Sequence, residues 1–411
     1  MTRTNSSMLI TANEGASGAW PPEVGPLKRD GKRLVDAAGR TWFGRGLTMF
    51  LLYARYLRGE SIQRQLEWCR EVGANYLRIF GPVPCPPWDQ EWAFYQTLVL
   101  DQAKLRAFAN ALANVGLRME WVPICGPWPL QSSRLYLDSS YSSIAGCWNA
   151  FIECTNEPGQ SGTYHGDLHQ LIDGIDRRGV LSATGAAWLL GPPNYDTYAK
   201  CHWLDYGTPH TQRDGHYAHD GKECLEWRDG GEGAPGQPNI PGSGCPEWDD
   251  EPRRIDENPT PALNPDKIPG WGDMSPAQQQ EWMLDEVLSH YATSGLFAGA
   301  SLLHIDSGKF GLDPPPSGWQ DRVCREVAKL WAWFPADTSY GQYSRPGFGP
   351  FPIEWQQDVD SLVNHAYCQW VGDVGYGVNC VPPAGWRPVA KSGFEIVEYG
   401  PRPFIFKARR L

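Results

Sequence analysis

No apolar run in the 411-residue chain reaches the roughly 18 residues that a bilayer-crossing helix needs. Positive charge is scarce as well: 36 Lys and Arg stand against 47 Asp and Glu, for a net charge of −11. A phosphate backbone or an anionic membrane surface demands a basic face, so neither nucleic acid nor membrane is an expected partner. No C-x-x-C pair occurs among the eleven cysteines, which leaves zinc ribbons and thioredoxin chemistry without support. No G-x-G-x-x-G follows an early strand, which counts against an open, doubly wound dinucleotide fold. The first residues lead only to a short apolar stretch at 8–10, below the roughly 7–15 residues of a secretory signal. Localisation is therefore left open between the cytoplasm, export by another route and a leader missing from the sequence.

What is abundant is Trp (20), Gly (45) and Pro (36). Gly and Pro both exceed their average usage of about 7% and 5%, which implies long structured loops. Twenty tryptophans are more than a core of this size needs. Some are expected to cover core, and others to offer flat apolar platforms for the C–H faces of sugars or for other π-systems. Hydrophobic residues at 41% and charged residues at 20% exclude a disordered polyelectrolyte. Cys69, Cys154 and Cys324 sit in apolar-periodic segments and read as core thiols. Pairing of Cys85 with Cys125, or Cys224 with Cys245, is open.

Along the chain, residues 1–25 read as a polar tail. Residues 27–35 and 41–48 flank the turn Asp36-Ala37-Ala38-Gly39-Arg40, a hairpin leading into a first buried strand. Ile62, Leu66, Cys69 and Val72 then mark one helical face, ended by Gly73. A strand at 75–80, a helix at 101–115 and a strand at 117–124 continue the alternation. It repeats through a strand at 150–155, a helix at 168–175, strands near 183, 205 and 249, a helix from Ser275, a strand at 296–305 and a last helix to Phe334. Eight strands in this alternation imply an α/β fold of the (β/α)8 TIM-barrel class over residues 26–336. Two units are weak: the Ser-rich link 125–149 shows no clean helical stripe, and the link 188–199 is Pro-broken. Residues 337–411 carry short strand-like runs between Gly/Pro turns and read as a small C-terminal all-β, sandwich-like domain.

The chemistry concentrates in Phe151-Ile152-Glu153-Cys154-Thr155-Asn156-Glu157-Pro158. Strand alternation turns Phe151, Glu153, Thr155 and Glu157 inward and Ile152 and Cys154 outward. Glu157 then emerges at the carboxyl-terminal rim, where barrel active sites are built. A second carboxylate is expected from another strand end, and Glu247-Trp248-Asp249-Asp250-Glu251-Pro252 supplies it. Glu251 is selected because it stands last before a proline, as Glu157 does. Asp249, Asp250 and Glu247 are its rivals, and the alternative is a hydrated acidic turn.

At these residues the chain resembles the clan of retaining (β/α)8-barrel glycoside hydrolases, the cellulase- and mannanase-like enzymes. The likeness spans residues 27–335. It rests on the turn at 36–40, on Asn75-Tyr76-Leu77-Arg78, on Thr155-Asn156-Glu157-Pro158 and on Asp250-Glu251-Pro252. It implies an oligo- or polysaccharide substrate, no cofactor and no metal, with Glu157 as acid/base and Glu251 as nucleophile. It further implies that Arg78 holds the nucleophile ionised and that Asn156 binds the sugar 2-hydroxyl. Retention needs the two carboxyl groups roughly 5–5.5 Å apart with their pKa values pushed apart. The third strand lacks the histidine often found at its end. Tyr206 or His210 is left as the hydrogen-bonding partner near the nucleophile. His304 stands where a tryptophan is frequent, so stacking falls to Trp128, Trp188, Trp271 or Trp319.

Two other classes compete. A metal-dependent barrel hydrolase would use His210, His216 and His219, or His165 and His169, yet no H-x-H closes the first strand. A non-catalytic carbohydrate-binding or structural barrel is the other, and it predicts glycan binding without turnover.

Overall fold

The computed structural model describes residues 25–81, 100–156, 168–185, 204–208, 228–229, 244–248, 254–255, 270–305, 318–344, 349–354, 366–379 and 388–411 except 403, with 242, 261, 265, 268 and 316 between them. The described residues open with three short antiparallel strands, β1 (Lys28–Asp30), β2 (Arg33–Val35) and β3 (Thr41–Trp42). The β2–β3 turn is the one at 36–40: the Asp36 carboxylate accepts from the Ala38 and Arg40 amides at 2.9 Å each. Leu27, Leu34 and Trp42 from this hairpin plug the amino-terminal mouth of the barrel.

Parallel strands follow in the expected alternation: β4 (Gly44–Met49), β5 (Tyr76–Phe80), β6 (Arg118–Val122), β7 (Ala150–Glu153), β8 (Ser182–Ala183), β9 (Arg254–Ile255) and β10 (Ala300–Ile305). Backbone hydrogen bonds carry the sheet round into a ring. Asp205 N donates to Ser182 O (2.8 Å), Gly207 N to Pro246 O (2.9 Å), Gly299 N to Glu247 O (3.0 Å) and Gly44 N to Gly299 O (3.1 Å). Residues 205–208 and 246–248 therefore serve as the sixth strand and the start of the seventh. The fold is a TIM barrel with a C-terminal antiparallel sheet.

Helices pack outside this ring: α1 (Leu52–Leu57), α2 (Gln63–Glu71), α3 (Gln102–Asn114), α4 (Leu130–Ile144), α5 (Leu168–Ile172), α6 (Pro276–Phe297) and α7 (Gly318–Trp333). Ser275 starts α6 with a capping box, its hydroxyl and the Gln278 side chain serving each other's backbone amides. The Ser-rich link 125–149 is a full helix, α4, against the weak sequence reading. Its serines return their hydroxyls to carbonyls four residues back, Ser140 to Tyr136 O at 2.9 Å and Ser143 to Ser139 O at 2.7 Å. That satisfied backbonding lets polar residues occupy a buried helix face and erases the apolar stripe. Residues 296 and 297 end α6 rather than open the last strand, because an apolar run at a helix–strand junction has no period to divide it. The link 188–199, Cys85 and Cys224 lie outside the described residues. Cys69 and Cys324 are buried free thiols and Cys154 is buried in the same core, which pushes the first two well up from the usual thiol value.

The C-terminal sheet has the order β11-β13-β14-β17-β16, formed by Gln342–Ser344, Ala366–Val371, Val374–Asn379, Ile405–Arg410 and Phe394–Tyr399. One face lies on the barrel helices, with Tyr367 edge-on to Phe297 at 5.3 Å and Tyr376 edge-on to Trp333 at 5.6 Å. The other face closes on Phe351 and Ile353, the latter from a separate two-stranded pair, β12 with β15 (Ile353–Glu354, Val389–Ala390).

Arg402, in the turn between β16 and β17, reaches α6, 3.2 Å from Asp285. Burial outweighs that attraction and pushes the Asp285 carboxyl from 3.8 up to about 6. Between those values the folded chain keeps a proton that the unfolded chain has released, so this group's contribution falls as pH rises through the window. Urea titrations should show Asp285→Asn gaining about 2 kcal/mol on the wild type between pH 4 and pH 7. A difference that does not vary with pH would refute the assignment.

Candidate active site

The barrel interior is layered, and the sequence sets the layers. Gly44 and Gly46 on β4 admit Tyr76 and Leu302: a Cβ on Gly46 would collide with both side chains. Tyr76, Phe151, Tyr206 and Trp248 then fill the lower interior with aromatic contacts, Tyr206 stacking on Trp248 at 4.5 Å with the rings 7° apart. Above that apolar floor the inward positions turn polar. Thr48 pairs in register with Arg78, and Arg78 with Glu120.

Period-2 alternation places Glu153 inward on β7, two residues above Phe151. Arg78 meets it in a two-pronged ion pair, Nε to Oε2 at 2.7 Å and Nη2 to Oε1 at 3.0 Å, with both side chains fully buried. The same Nη2 donates to Asn156 Oδ1 at 2.6 Å. The Asn156 backbone is held separately, its N–H donating to Ile124 O at 2.9 Å beyond the end of β6. One guanidinium thus joins the carboxylate of the fourth strand to the amide at its carboxyl-terminal end. A fork of fixed N–H directions suits this, whereas a lysine would offer one point charge. Gly185 closes over the pair from the end of β8. Its φ is +82°, and a Cβ there would strike Thr155 O and sit 2.9 Å from Glu153 Oε1.

Tyr206 donates its hydroxyl to Glu120 Oε1 at 3.0 Å. Burial, then the Glu120 and Glu153 carboxylates, push this phenol well above its ordinary range, so it remains a donor. His304, fully buried at the end of β10, faces the Phe50 ring at 5.8 Å. Phe50 stacks on Phe80 at 4.6 Å, and the Arg78 guanidinium lies 4.6 Å from the Phe80 ring centre. Aromatic rings therefore wall the buried arginine on the rim side.

Of the sequence-predicted site residues, the structure brings Arg78 and Asn156 into direct contact. Tyr206 and His304 line the interior, Tyr206 with its hydroxyl on Glu120. Trp128 is half-buried in the loop after β6, packed on the main core. Glu157, Glu251, His210 and Trp188 lie outside the described residues. Trp271 is half-buried, its ring edge-on to Trp282 at 5.7 Å, and Trp319 also packs on the core. Strand alternation turns Glu153 inward without giving it a role, and Glu120 is not among the residues that the sequence singles out. The signal for both was a glutamate at an inward position of a buried strand. Among the described residues no three His, Cys, Asp or Glu side chains converge as metal ligands; His165, His210, His216 and His219 fall outside them. A cavity of about 290 Å³, lined in part by Leu27, Arg118, Trp148 and Arg178, opens at the amino-terminal end, away from this cluster.

Parallel strands linked round by backbone hydrogen bonds, with a buried polar cluster at their carboxyl-terminal end, have the architecture of a TIM barrel. Solved structures share that fold. A glycoside hydrolase family 5 protein from Bacteroides vulgatus superposes with a TM-score of 0.55 at 14% identity, covering 93% of this chain and 93% of that one. A second structure, described as a glycoside hydrolase, gives a TM-score of 0.50 at 14% identity, covering 86% and 83%. No protein-family model matches the chain, and no curated protein sequence matches it. The resemblance noted in the sequence is thus met at the level of fold, by structures of glycoside hydrolases.

Proposed function

We propose that the protein is a retaining glycosidase that cleaves β-glycosidic bonds in an oligo- or polysaccharide, with Glu157 as acid/base and Glu251 as nucleophile. The observation that carries this reading is the Arg78–Asn156 hydrogen bond inside the barrel. It ties the residue directly before Glu157, at the carboxyl-terminal end of the fourth strand, to the second strand, at the end of the barrel where barrel chemistry is built. The fold shared with glycoside hydrolase structures supports the reading. So do the flanks of Glu251: Glu247 pairs with Gly207 on one side, and Arg254 pairs with His304 on the other.

In the first step the Glu251 carboxylate attacks C1 as Glu157 passes its proton to the leaving oxygen. In the second, Glu157 takes a proton from water, the water oxygen attacks C1, and Glu251 departs as carboxylate. Arg78 favours the ionised form of Glu251, and the Asn156 amide N–H groups bind the 2-hydroxyl while its Oδ1 is held by Arg78. Since Tyr206 gives its hydroxyl to Glu120, His210 is the better candidate for bonding the nucleophile. Trp128, in the loop after the third strand, offers a stacking face, and His304 backs the ring wall around Arg78.

The test is covalent trapping. An activated 2-deoxy-2-fluoro-β-glycoside should add one sugar mass to a single peptide, with the label on Glu251. Label on Asp249, Asp250 or Glu247 would move the nucleophile; glycan binding with no label at all would favour a non-catalytic barrel.

A further inference from the structure

We infer that Glu153 is a positioning residue for this site: through Arg78 it sets the orientation of the Asn156 amide, and so the register of the bound sugar's 2-hydroxyl. The inference rests on the glycosidase reading for its kinetic consequence, and on geometry alone for its structural one.

The argument starts from cost. A fully buried carboxylate is expensive unless its charge is met, and Glu153 is met by two N–H groups of one equally buried guanidinium. That pairing determines the plane of the guanidinium, because Nε and Nη2 are both engaged on the same carboxylate. Once the plane is set, the remaining Nη2 hydrogen has one direction, and Asn156 Oδ1 accepts it at 2.6 Å. An amide whose oxygen is engaged inward must turn its NH₂ the other way, away from Arg78. The Asn156 backbone is independently tied to Ile124 O, so a shift of the guanidinium is answered by the side-chain amide alone.

Two features keep the carboxylate in place. Gly185 packs against it with no room for a Cβ, and the Phe80 ring lies against the guanidinium. Neither bonds to substrate in this reading. Glu153 acts on the sugar through Arg78, and the device tunes the alignment of the sugar ring rather than the proton or electron movements at C1. Loss of Glu153 should therefore fall on kcat with the 2-hydroxyl present and largely vanish when that hydroxyl is absent.

The experiment uses the full chain with Glu153→Gln and, should that variant fold poorly, Glu153→Asp, which keeps the charge but cannot reach both N–H groups. Activated aryl β-glycosides are compared with their 2-deoxy counterparts. We expect kcat/KM to fall about 10²-fold on the 2-hydroxy substrate, mostly in kcat, and less than about 10-fold on the 2-deoxy one, the scale of a small misplacement of a reacting group. In parallel, the Asn156 side-chain NH₂ resonances, assigned by their loss in Asn156→Ala, should shift in both Glu153 variants. Equal kinetic losses on the two substrates, or unmoved Asn156 resonances, would overturn the inference. A wild type that turns over no glycoside would overturn the glycosidase reading alone, and the Asn156 resonances would still decide the positioning role.

Discussion

Glu251→Gly should lose about 10⁴-fold in kcat/KM on aryl β-glycosides, the scale of removing one member of a catalytic set. Sodium azide should then restore turnover and yield a glycosyl azide of inverted configuration. The reason is geometric. Deleting the carboxylate leaves a space on the face of the sugar opposite the leaving group, and a small anion entering there attacks C1 from that side. With no nucleophile left in the protein, the product is not turned over a second time, so the inversion is preserved. Background activity in this variant is set by what remains: the acid, and whatever alignment Arg78 and Asn156 impose through their 2.6 Å bond. Product analysis by proton NMR reads the configuration directly. Azide that fails to restore turnover, or that gives the retained product, would remove Glu251 from the nucleophile's role.

The second large effect belongs to Glu157. Glu157→Gln keeps the size of the side chain and removes the transferable proton. On alkyl or unmodified oligosaccharide substrates we expect a loss of about 10³-fold, within the usual range for general acid catalysis. On dinitrophenyl glycosides the departing oxygen is already a stable anion, so the first step should be nearly untouched. The second step then lacks its base and becomes rate-limiting, which lowers KM and leaves a burst of released phenol. In Glu157→Ala, where the shortened side chain leaves room for the anion, azide should give the retained glycosyl azide, the opposite configuration from that of Glu251→Gly. The two variants thus report on opposite faces of one sugar ring. Equal losses on good and poor leaving groups would show that Glu157 does not act as the acid.

Glu153 bears on the interpretation of both. Its ion pair with Arg78 is fully buried, and removing one partner of such a pair typically costs about 3–5 kcal/mol in stability. Kinetic variants of Arg78 or Glu153 therefore need a folding control, in contrast to the Glu157 and Glu251 variants, whose readout is the configuration of the product and the dependence on leaving group. The contrast separates residues that hold the site from residues proposed to react in it.

Much of the barrel was legible because its signals are local. Ile62, Leu66, Cys69 and Val72 repeat at helical spacing and form α2; Leu105, Phe108, Ala109 and Leu112 do the same for α3. The alternation in Phe151-Ile152-Glu153-Cys154 sent Phe151 to the interior aromatic layer and Ile152 and Cys154 to the outer core. Asp36 announced its turn because a short carboxylate satisfies the amides two and four residues on. Helix α4 was not legible: hydroxyls bonded to carbonyls one turn back hide a buried face behind a polar composition.

What the amino-acid order determined alone was the succession of strands and helices, the inward set of side chains on each strand, and a net charge of −11. Those properties follow from periods of 2.0 and 3.6 residues and from simple electrostatics, which act over a few neighbours or over the whole. Only the tertiary structure decided which inward groups meet. Arg78 and Glu153 are 75 positions apart, Tyr206 and Glu120 are 86 apart, and nothing near either residue specifies its partner. Their pairing comes from ring closure and strand register, which bring separate strands to one height in a dry interior where an unmatched charge is too costly to persist.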